Sequence, residues 1–275
     1  MSKRAARTPR FFTPEAIQCN TKMLLEKKIA HHLVTVLRAK QGDSLLLFNG
    51  DGHDYRATLA ETGQRGSGKS AVLHIHDRSP VHSESTQRIC LAQCISRTDR
   101  MEISLRQAVE LGVSHIQPLN SRHTGKTPDP ERDKKRHAHW QSIIISACEQ
   151  SGRATVPAID RARDFSDWIE DEEQPRKDTY SDQVLSGTPS FVLSPTADQS
   201  LSELLHAYKQ RSGNGYRAVR LVVGPESGLA AAEIQMAVDC GWLEANLGPR
   251  ILRTETAGVT AVTLIQSVLG DLRPS

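Results

Sequence analysis

Two glycine-bearing segments in the last fifth of the chain have the residue types of ligand-binding loops. In each, an apolar run typical of a β-strand stops at Gly-Pro, and a helical pattern follows; the segments are Leu-Val-Val-Gly-Pro-Glu-Ser-Gly-Leu at 221–229 and Leu-Gly-Pro-Arg-Ile-Leu-Arg-Thr-Glu-Thr-Ala at 247–257. Ligands of open α/β sheets bind beyond the carboxyl ends of the strands, so two such loops side by side predict a pocket. Glycine lets the backbone approach a flat ligand closely. Neither segment matches G-x-G-x-x-G, which disfavours a dinucleotide site.

Three charged residues, Arg250, Arg253 and Glu255, lie between the apolar flanks of the second segment. Two ordinary tight turns would explain the glycines but not this cluster. A guanidinium beside a reacting base would stabilise negative charge as it develops, and Arg253 or Arg250 is the first choice for that role. Glu255 would orient an arginine or cap a helix that starts near Thr254. A surface ion pair between Arg253 and Glu255 is the alternative.

The segment Gly63–Ser70 matches the phosphate-binding pattern G-x-x-x-x-G-K-S letter for letter. A phosphate-binding loop needs a strand before it and a helix after it. Residues 71–76, Ala-Val-Leu-His-Ile-His, alternate with period two, which predicts a strand. We therefore interpret 63–70 as a turn between antiparallel strands and keep a P-loop NTPase as the weaker alternative.

Histidines and cysteines give no sign of a metal site. The pairs His31/His32, His74/His76 and His137/His139 lack a third ligand at metal-like spacing, so we predict no metal. The five cysteines include no Cys-x-x-Cys pair, which predicts neither a zinc ribbon nor a disulfide framework; they are Cys19, Cys90, Cys94, Cys148 and Cys240. Buried thiols in a reducing compartment are the simplest interpretation.

The elements that must position these residues change character along the chain. Alternating apolar residues and Gly-rich turns predict a small β-barrel or sandwich in the first third, with strands at 45–49, 54–61 and 71–77. From 88 onward strands alternate with helices, which predicts an α/β domain with a mostly parallel sheet. Its strands are expected at 88–96, 115–119, 191–193, 218–223 and 243–247, and its helices at 100–111, 131–150, 201–209, 230–239 and 255–269. The predicted domains are 1–82 and 83–275, with 170–189 as a polar surface loop.

Composition bounds the class of protein. The 275 residues are 37% hydrophobic and 24% charged, which is typical of a globular protein. No apolar run reaches the length of a membrane span, and the basic start lacks the apolar core of a signal peptide, so we expect a cytoplasmic protein without a membrane partner. The formal net charge of +3 permits an anionic partner without requiring one.

The two loop segments closely resemble the signature segments of the ribosomal RNA small subunit methyltransferase E family, the uridine-N3 branch of the SPOUT methyltransferases. The resemblance continues at 96–102, 109–113, 121–126 and 147–153, and the front of the chain, at 31–38 and 42–43, is similar to the family's PUA-like RNA-binding barrel. The sequence departs from the family pattern at Ser227, where a second glycine is usual, and at Gln107, where lysine is frequent.

The resemblance implies a trefoil-knotted C-terminal domain, a homodimer, S-adenosylmethionine as cofactor, and methylation of a uridine at N3 in 16S rRNA of the small ribosomal subunit. It implies cofactor contacts from the strand-end loops, at Leu193, Val223, Gly224, Pro225, Glu226, Gly228, Leu247, Gly248, Ile251, Leu252, Thr256 and Ala257. Basic loop and helix-end residues are the expected RNA contacts, namely Arg10, Arg38, Arg97, Arg122, Lys126 and Arg153. A non-catalytic RNA-binding or ribosome-assembly protein is the alternative from another class.

Overall fold

A computed structural model of the chain describes residues 8–65, 68–124, 129–171, 188–212 and 218–272. They form two compact units. The first contains the described residues up to Glu84 together with Cys148–Val156, and the second contains Ser85–Ala147 and the rest of the chain. The expected division between 82 and 83 falls close to this one, but the sequence analysis did not anticipate that Cys148–Val156 belong with the first unit. Most of the expected loop at 170–189 lies outside the described residues.

The first unit is built on a five-stranded sheet in the order β1-β3-β4-β5-β2. Its strands are β1 (Arg10–Phe12), β2 (Lys22–Leu24), β3 (Ser44–Phe48), β4 (His53–Arg65) and β5 (Gly68–Pro80), and its helix is α1 (Lys27–His31), which continues as a π-helical turn at His32–Val36. Ala71, Leu73 and Ile75 are fully buried at alternate positions of β5. Successive side chains of a strand face opposite sides, so this alternation builds the core on one face.

The turn interpretation of Gly63–Ser70 is confirmed. β4 and β5 pair antiparallel along their length, down to the pair Arg65 and Gly68. The residues after Gly68 form a strand that ends at Pro80, not the helix that a phosphate-binding loop needs to present its amides. Residues 66 and 67 lie outside the described part of the chain. The P-loop alternative therefore loses its structural basis.

The second unit contains a seven-stranded sheet in the order β12-β10-β11-β6-β7-β8, with β9 also pairing with β7. Every pairing among its described strands is parallel, which confirms the prediction of an α/β domain. The strands are β6 (Arg88–Cys94), β7 (His115–Asn120), β8 (Ala158–Ile159), β9 (Arg163–Asp164), β10 (Ser190–Leu193), β11 (Ala218–Val223) and β12 (Leu243–Ala245). The trefoil knot stays a prediction.

Six helices accompany this sheet in the described ranges: α2 (Thr98–Glu110), α3 (Pro130–Ser151), α4 (Phe165–Asp171), α5 (Leu201–Ser212), α6 (Ala231–Asp239) and α7 (Thr254–Val268). The helix α7 packs against α2, α5 and β11, and its buried face includes Ala261, Val262 and Ile265, as its apolar sequence predicts. Across the described ranges, no helix has the length and apolar character needed to cross a bilayer.

Two of the expected RNA contacts, Arg10 and Arg153, lie in internal ion pairs of the first unit, which weighs against a contact with RNA. The side chain of Arg10 is 5% exposed, and its Nε and Nη2 donate to Asp54 Oδ1 at 2.9 and 2.6 Å. Its Nη1 donates to the carbonyl of Cys148 at 2.8 Å, and its guanidinium carbon lies 4.0 Å from the centre of the Phe48 ring. The guanidinium of Arg10 is thus buried and bonded within the first unit, through each of its three nitrogens.

Arg153 is engaged in the same way. Its side chain is 5% exposed, and its Nε and Nη2 donate to Glu84 Oε2 at 3.1 and 2.8 Å. The other carboxylate oxygen of Glu84 accepts the backbone N–H of Thr155 at 3.1 Å. Glu84 therefore anchors the stretch after α3 to the first unit, which is why Cys148–Val156 pack there.

Replacing Arg153 with Ala should destabilise the protein, because it leaves the largely buried carboxylate of Glu84 without its ionic partner. Removing one partner of a buried pair typically costs about 3 kcal/mol. The matched control is Lys22→Ala, which breaks the exposed pair Lys22–Glu61, where each side chain is 62% exposed. Urea denaturation of both variants measures the difference, and equal losses of stability would contradict a structural role for Arg153.

Candidate functional site

A cavity of about 460 Å³ lies at the carboxyl ends of β10, β11 and β12. These strands are neighbours in the sheet, in the order β12-β10-β11, so the segments that follow them meet at one edge. The wall is formed by Leu193, Ser194, Pro195, Thr196, Val223, Gly224, Pro225, Glu226, Ser227, Gly228, Leu229, Ala231, Ile234, Ala245, Leu247, Gly248, Arg250, Ile251, Leu252, Thr254 and Ala257. Its size is within the usual range for small-molecule sites.

The two glycine loops of the sequence analysis are therefore neighbours in space. The expected cofactor residues line the cavity, with the exception of Thr256, which is exposed on the first turn of α7. Arg250 also lines the cavity, whereas Arg253 and Glu255 are not part of its wall. The segment Ser194–Thr196 and the α6 residues Ala231 and Ile234 were missed, because nothing in their residue types distinguishes them from other loop and helix positions.

Thr254 ties the two loops together. Its hydroxyl donates to the carbonyl of Gly224 at 2.6 Å and accepts from the side-chain amide of Gln93 at 3.0 Å. Gln93 is fully buried near the end of β6, and Thr254 is 4% exposed. Buried polar groups are costly without partners, so this chain of hydrogen bonds holds the end of β11, the end of β6 and the start of α7 in one arrangement.

A side chain at position 224 would crowd the loop, because the loop folds back on itself there. A Cβ atom at Gly224 would lie 3.1 Å from the backbone nitrogen of Leu229 and 3.2 Å from its Cγ. Gly248, in the second loop, has a φ of 96°, which L-residues with side chains rarely adopt. The glycines at these positions are therefore set by backbone geometry that shapes the cavity wall.

Glu255 does not form the surface ion pair with Arg253 that was the alternative interpretation. Its side chain is buried, and Oε1 accepts a hydrogen bond from Nη1 of Arg100, on α2. Its other oxygen, Oε2, is buried and has no hydrogen-bond partner. Glu255 thus orients an arginine, but one that the sequence analysis missed, because the two residues are distant in the chain.

The remaining candidate cations are exposed. Arg253 is the N-cap residue of α7 and is exposed, and so is Arg250. Among the expected RNA contacts, Arg38, Arg97 and Arg122 are also exposed. Lys126 lies outside the described residues.

Two carboxylates hold loops of this unit near the cavity. Glu226 accepts the backbone N–H of Arg97 at 2.9 Å, and Glu233, on α6, accepts the backbone N–H of Arg122 at 2.8 Å. These bonds fix the backbone at two of the expected RNA contacts, whose side chains are exposed; Nε of Arg97 lies 4.0 Å from Oδ1 of Asp99. In the described ranges, no group of His, Cys, Asp and Glu residues is arranged to hold a metal ion.

The fold and this cavity agree with two family models. Residues 83–266 match an RNA methyltransferase domain, and residues 25–67 match an RNA methyltransferase PUA domain. The class of protein is therefore that of RNA methyltransferases with an N-terminal PUA domain, which also confirms the fold class expected for the first unit.

Individual relatives narrow the class. The chain is 32% identical over 97% of its length to ribosomal RNA small subunit methyltransferase E of Buchnera aphidicola, of which 98% is covered. It is similar to a Neisseria gonorrhoeae structure of the same enzyme bound to S-adenosyl methionine, with a TM-score of 0.80, 32% identity, and coverage of 97% of this chain and 100% of that one. A Legionella pneumophila methyltransferase structure with bound SAM gives a TM-score of 0.82 and 31% identity, over 97% of this chain and 100% of that one.

The chain belongs to the ribosomal RNA small subunit methyltransferase E family.

Replacing Thr254 with Val should loosen both glycine loops, because it removes the donor to Gly224 and the acceptor for Gln93 while preserving side-chain shape. An unpaired buried carbonyl costs about 1–3 kcal/mol, which corresponds to amide exchange roughly tenfold faster in the affected loops. Hydrogen exchange followed by mass spectrometry measures this rate in peptides that cover 221–229 and 247–253. Thr263→Val, which removes an exposed α7 hydroxyl bonded within its own helix, is the control; identical exchange in both variants would refute the linking role.

Proposed function

We propose that this chain binds S-adenosylmethionine in the cavity and transfers its methyl group to N3 of a uridine in 16S rRNA. The observation that carries the proposal is the cavity itself. Two glycine loops, which follow different strands of the sheet, form its wall and are tied by the hydrogen bond from Thr254 to Gly224. Relatives that share 31–32% identity and almost the full length were solved with this cofactor bound.

The cavity suits an adenosine-containing cofactor. Backbone groups of the glycine loops are available to read the edge of a base, and Leu193, Leu247 and Leu252 provide apolar surface for its faces. The loop folds closely at Gly224, where a Cβ atom would crowd Leu229, and the backbone itself forms that part of the wall. When bound, the cofactor supplies an electrophilic methyl group, and the residues of this chain supply position and charge.

Methylation at N3 requires the uridine to lose the N3 proton, which leaves negative charge on the base. Arg250 lines the cavity, and Arg253 stands at the start of α7, so a guanidinium from either would stabilise that charge. The buried pair of Glu255 and Arg100 holds the first turn of α7, on which Arg253 is placed. We assign no general base. Catalysis by this site depends mainly on positioning.

RNA binding in this proposal uses exposed cations. Arg38 of the PUA domain and Arg97 and Arg122 of the methyltransferase domain are exposed, and Lys126 is kept as a sequence-based candidate. Such contacts address the phosphate backbone more than the bases. The proposal includes a homodimer, as the family resemblance implies, and places the protein in the cytoplasm, where ribosomal subunits are found.

Replacing Arg253 with Ala should reduce methyl transfer to a 16S rRNA substrate about 10²-fold or more, as loss of one charge-stabilising donor typically does. The affinity for S-adenosylmethionine should change little, because Arg253 does not line the cavity. Arg250→Ala should reduce both quantities. Single-turnover assays and calorimetry separate the effects, with Arg211→Ala, an exposed arginine at the end of α5, as control. Unchanged turnover in the Arg253 variant would exclude its catalytic role.

Mass spectrometry of 16S rRNA tests the whole proposal. A strain that lacks the gene should lose one 3-methyluridine, and the wild-type chain should restore it. Gly224→Val, whose side chain would collide with Leu229, should fail to restore it. A chain that binds rRNA but neither binds the cofactor nor restores the methyl group would support the non-catalytic alternative instead.

A further inference from the structure

A row of polar side chains crosses the parallel sheet in the amino-terminal half of its strands, whereas the cavity lies at the carboxyl ends. Cys90 of β6 is in register with Arg220 of β11 on one side and with His115 of β7 on the other. Arg220 is in turn in register with Ser190 of β10. Registered residues of adjacent parallel strands point to the same face, so these side chains share one face of the sheet.

His115 connects Cys90 to a carboxylate. Its Nδ1 lies 3.3 Å from the sulfur of Cys90, and its Nε2 lies 2.9 Å from Oδ2 of Asp160. A nucleophile, a base and a group that orients the base are the three parts of an activated side-chain nucleophile. Asp160 accepts a hydrogen bond from the Nε2–H group, which leaves Nδ1 to accept the thiol proton. The two contacts use opposite nitrogens of one ring, so the groups form a line and do not surround a metal position.

The line of three side chains runs from the interior of the sheet to the surface. Cys90 is partly buried, whereas the side chain of Asp160 is 48% exposed, so the line runs from the sheet towards solvent. The guanidinium carbon of Arg220 lies 5.1 Å from the ring centre of Trp242, and the Nε of Arg220 donates to the hydroxyl of Ser190. Cys90 packs against the hydrophobic cluster that contains Trp242. Burial lowers the pKa of His115, but the hydrogen bonds to Asp160 and Cys90 outweigh it and raise the pKa above the ordinary value.

We propose that Cys90 is a reactive thiol, activated by His115 and Asp160, and that it is oxidised by small hydroperoxides. The thiol proton passes to Nδ1 of His115, and the thiolate attacks one peroxide oxygen. A sulfur–oxygen bond forms as the oxygen–oxygen bond breaks, and the imidazolium returns the proton to the departing oxygen. The products are a sulfenic acid at Cys90 and an alcohol, or water from hydrogen peroxide, so the sulfur is oxidised and the peroxide is reduced.

The other thiols of the chain provide internal controls. Cys94 and Cys148 are fully buried, and burial raises the pKa of both, that of Cys148 to about 11. Buried thiols with raised pKa values are inert. Cys19 and Cys240 are partly exposed, as Cys90 is, and serve as matched comparators. A difference in rate between Cys90 and these two reports on the neighbours of the thiol and not on exposure alone.

The test measures each thiol separately in the folded, full-length chain. Limiting iodoacetamide, followed by digestion and mass spectrometry, gives alkylation rates over a range of pH, and hydrogen peroxide followed by dimedone traps sulfenic acid. Near pH 6.5 we expect Cys90 to react at least about tenfold faster than Cys19 and Cys240, and to give the dimedone adduct. His115→Gln should slow Cys90 about tenfold and move the rise of its rate to higher pH, with Cys19 unchanged. Cys90→Ser should abolish the adduct.

The charged neighbours of Cys90 and His115 are Asp160 and Arg220, and the same experiment tests the effect of Asp160. Asp160→Asn, a change at a half-exposed carboxylate, should reduce the alkylation rate of Cys90 less than His115→Gln does. If His115→Gln lowers the melting temperature, the Asp160→Asn variant is used to test the activation instead. Arg220 is present in all of these variants, so it does not contribute to the differences between them. Alkylation of Cys90 at the rate of Cys19, or an unchanged rate in both variants, would overturn the activation. Rapid alkylation without a dimedone adduct would overturn the reaction with hydroperoxides.

Discussion

The hydroxyl of Thr254 is the interaction on which the candidate site depends. It joins the carbonyl of Gly224, at the end of β11, to the side chain of Gln93, near the end of β6. Each partner is a polar group in a largely buried setting, so none of them can be released without an energetic penalty. The start of α7 and two strand ends are thereby held in one geometry, and the cavity wall between the glycine loops follows from it.

The parallel sheet determines which segments this interaction can join. All strands run in one direction, so their carboxyl ends lie at one edge, and loops distant in sequence become neighbours there. β10 lies between β11 and β12, which is why Leu193 and the segment after it complete the wall between the two glycine loops. An antiparallel arrangement would place alternate loops at opposite edges and divide the same residues between them.

Local signals predicted much of this structure. The order of strands and helices in the second unit follows from the periodicity of apolar residues. The glycine loops follow from the local backbone conformation, which leaves little space for a Cβ atom at Gly224 and has a positive φ at Gly248. The strands and the helix that were missed are short: β1 and β2 have three residues each, β8 and β9 have two each, and α4 has seven. A pattern over so few residues is weak, and such short elements are stabilised by tertiary contacts with the surrounding sheet and helices.

Charged residues were the least predictable part of the site, because a residue type does not specify its partner. Arg10 donates hydrogen bonds to Asp54 and to the carbonyl of Cys148, which are 44 and 138 positions away in the chain. Glu255 finds Arg100 in the same way, 155 positions away. Such pairs form only once the fold has brought the elements together. A prediction of RNA contacts from the basic residues in loops therefore overestimates the number of cations that are available to RNA.

The strand β6 shows how one element serves two separate purposes. Near its carboxyl end, Gln93 takes part in the network that shapes the cavity, and that requirement leaves little freedom in its side chain. In its amino-terminal half, Cys90 faces β7 and β11 and has no part in the cavity wall. A parallel sheet that binds its ligand at one edge therefore leaves the opposite half of each strand free to acquire other chemistry, provided that the side chains there pack. The line of Cys90, His115 and Asp160 occupies such a position, where changes in its reactivity need not alter the geometry on which methyl transfer depends.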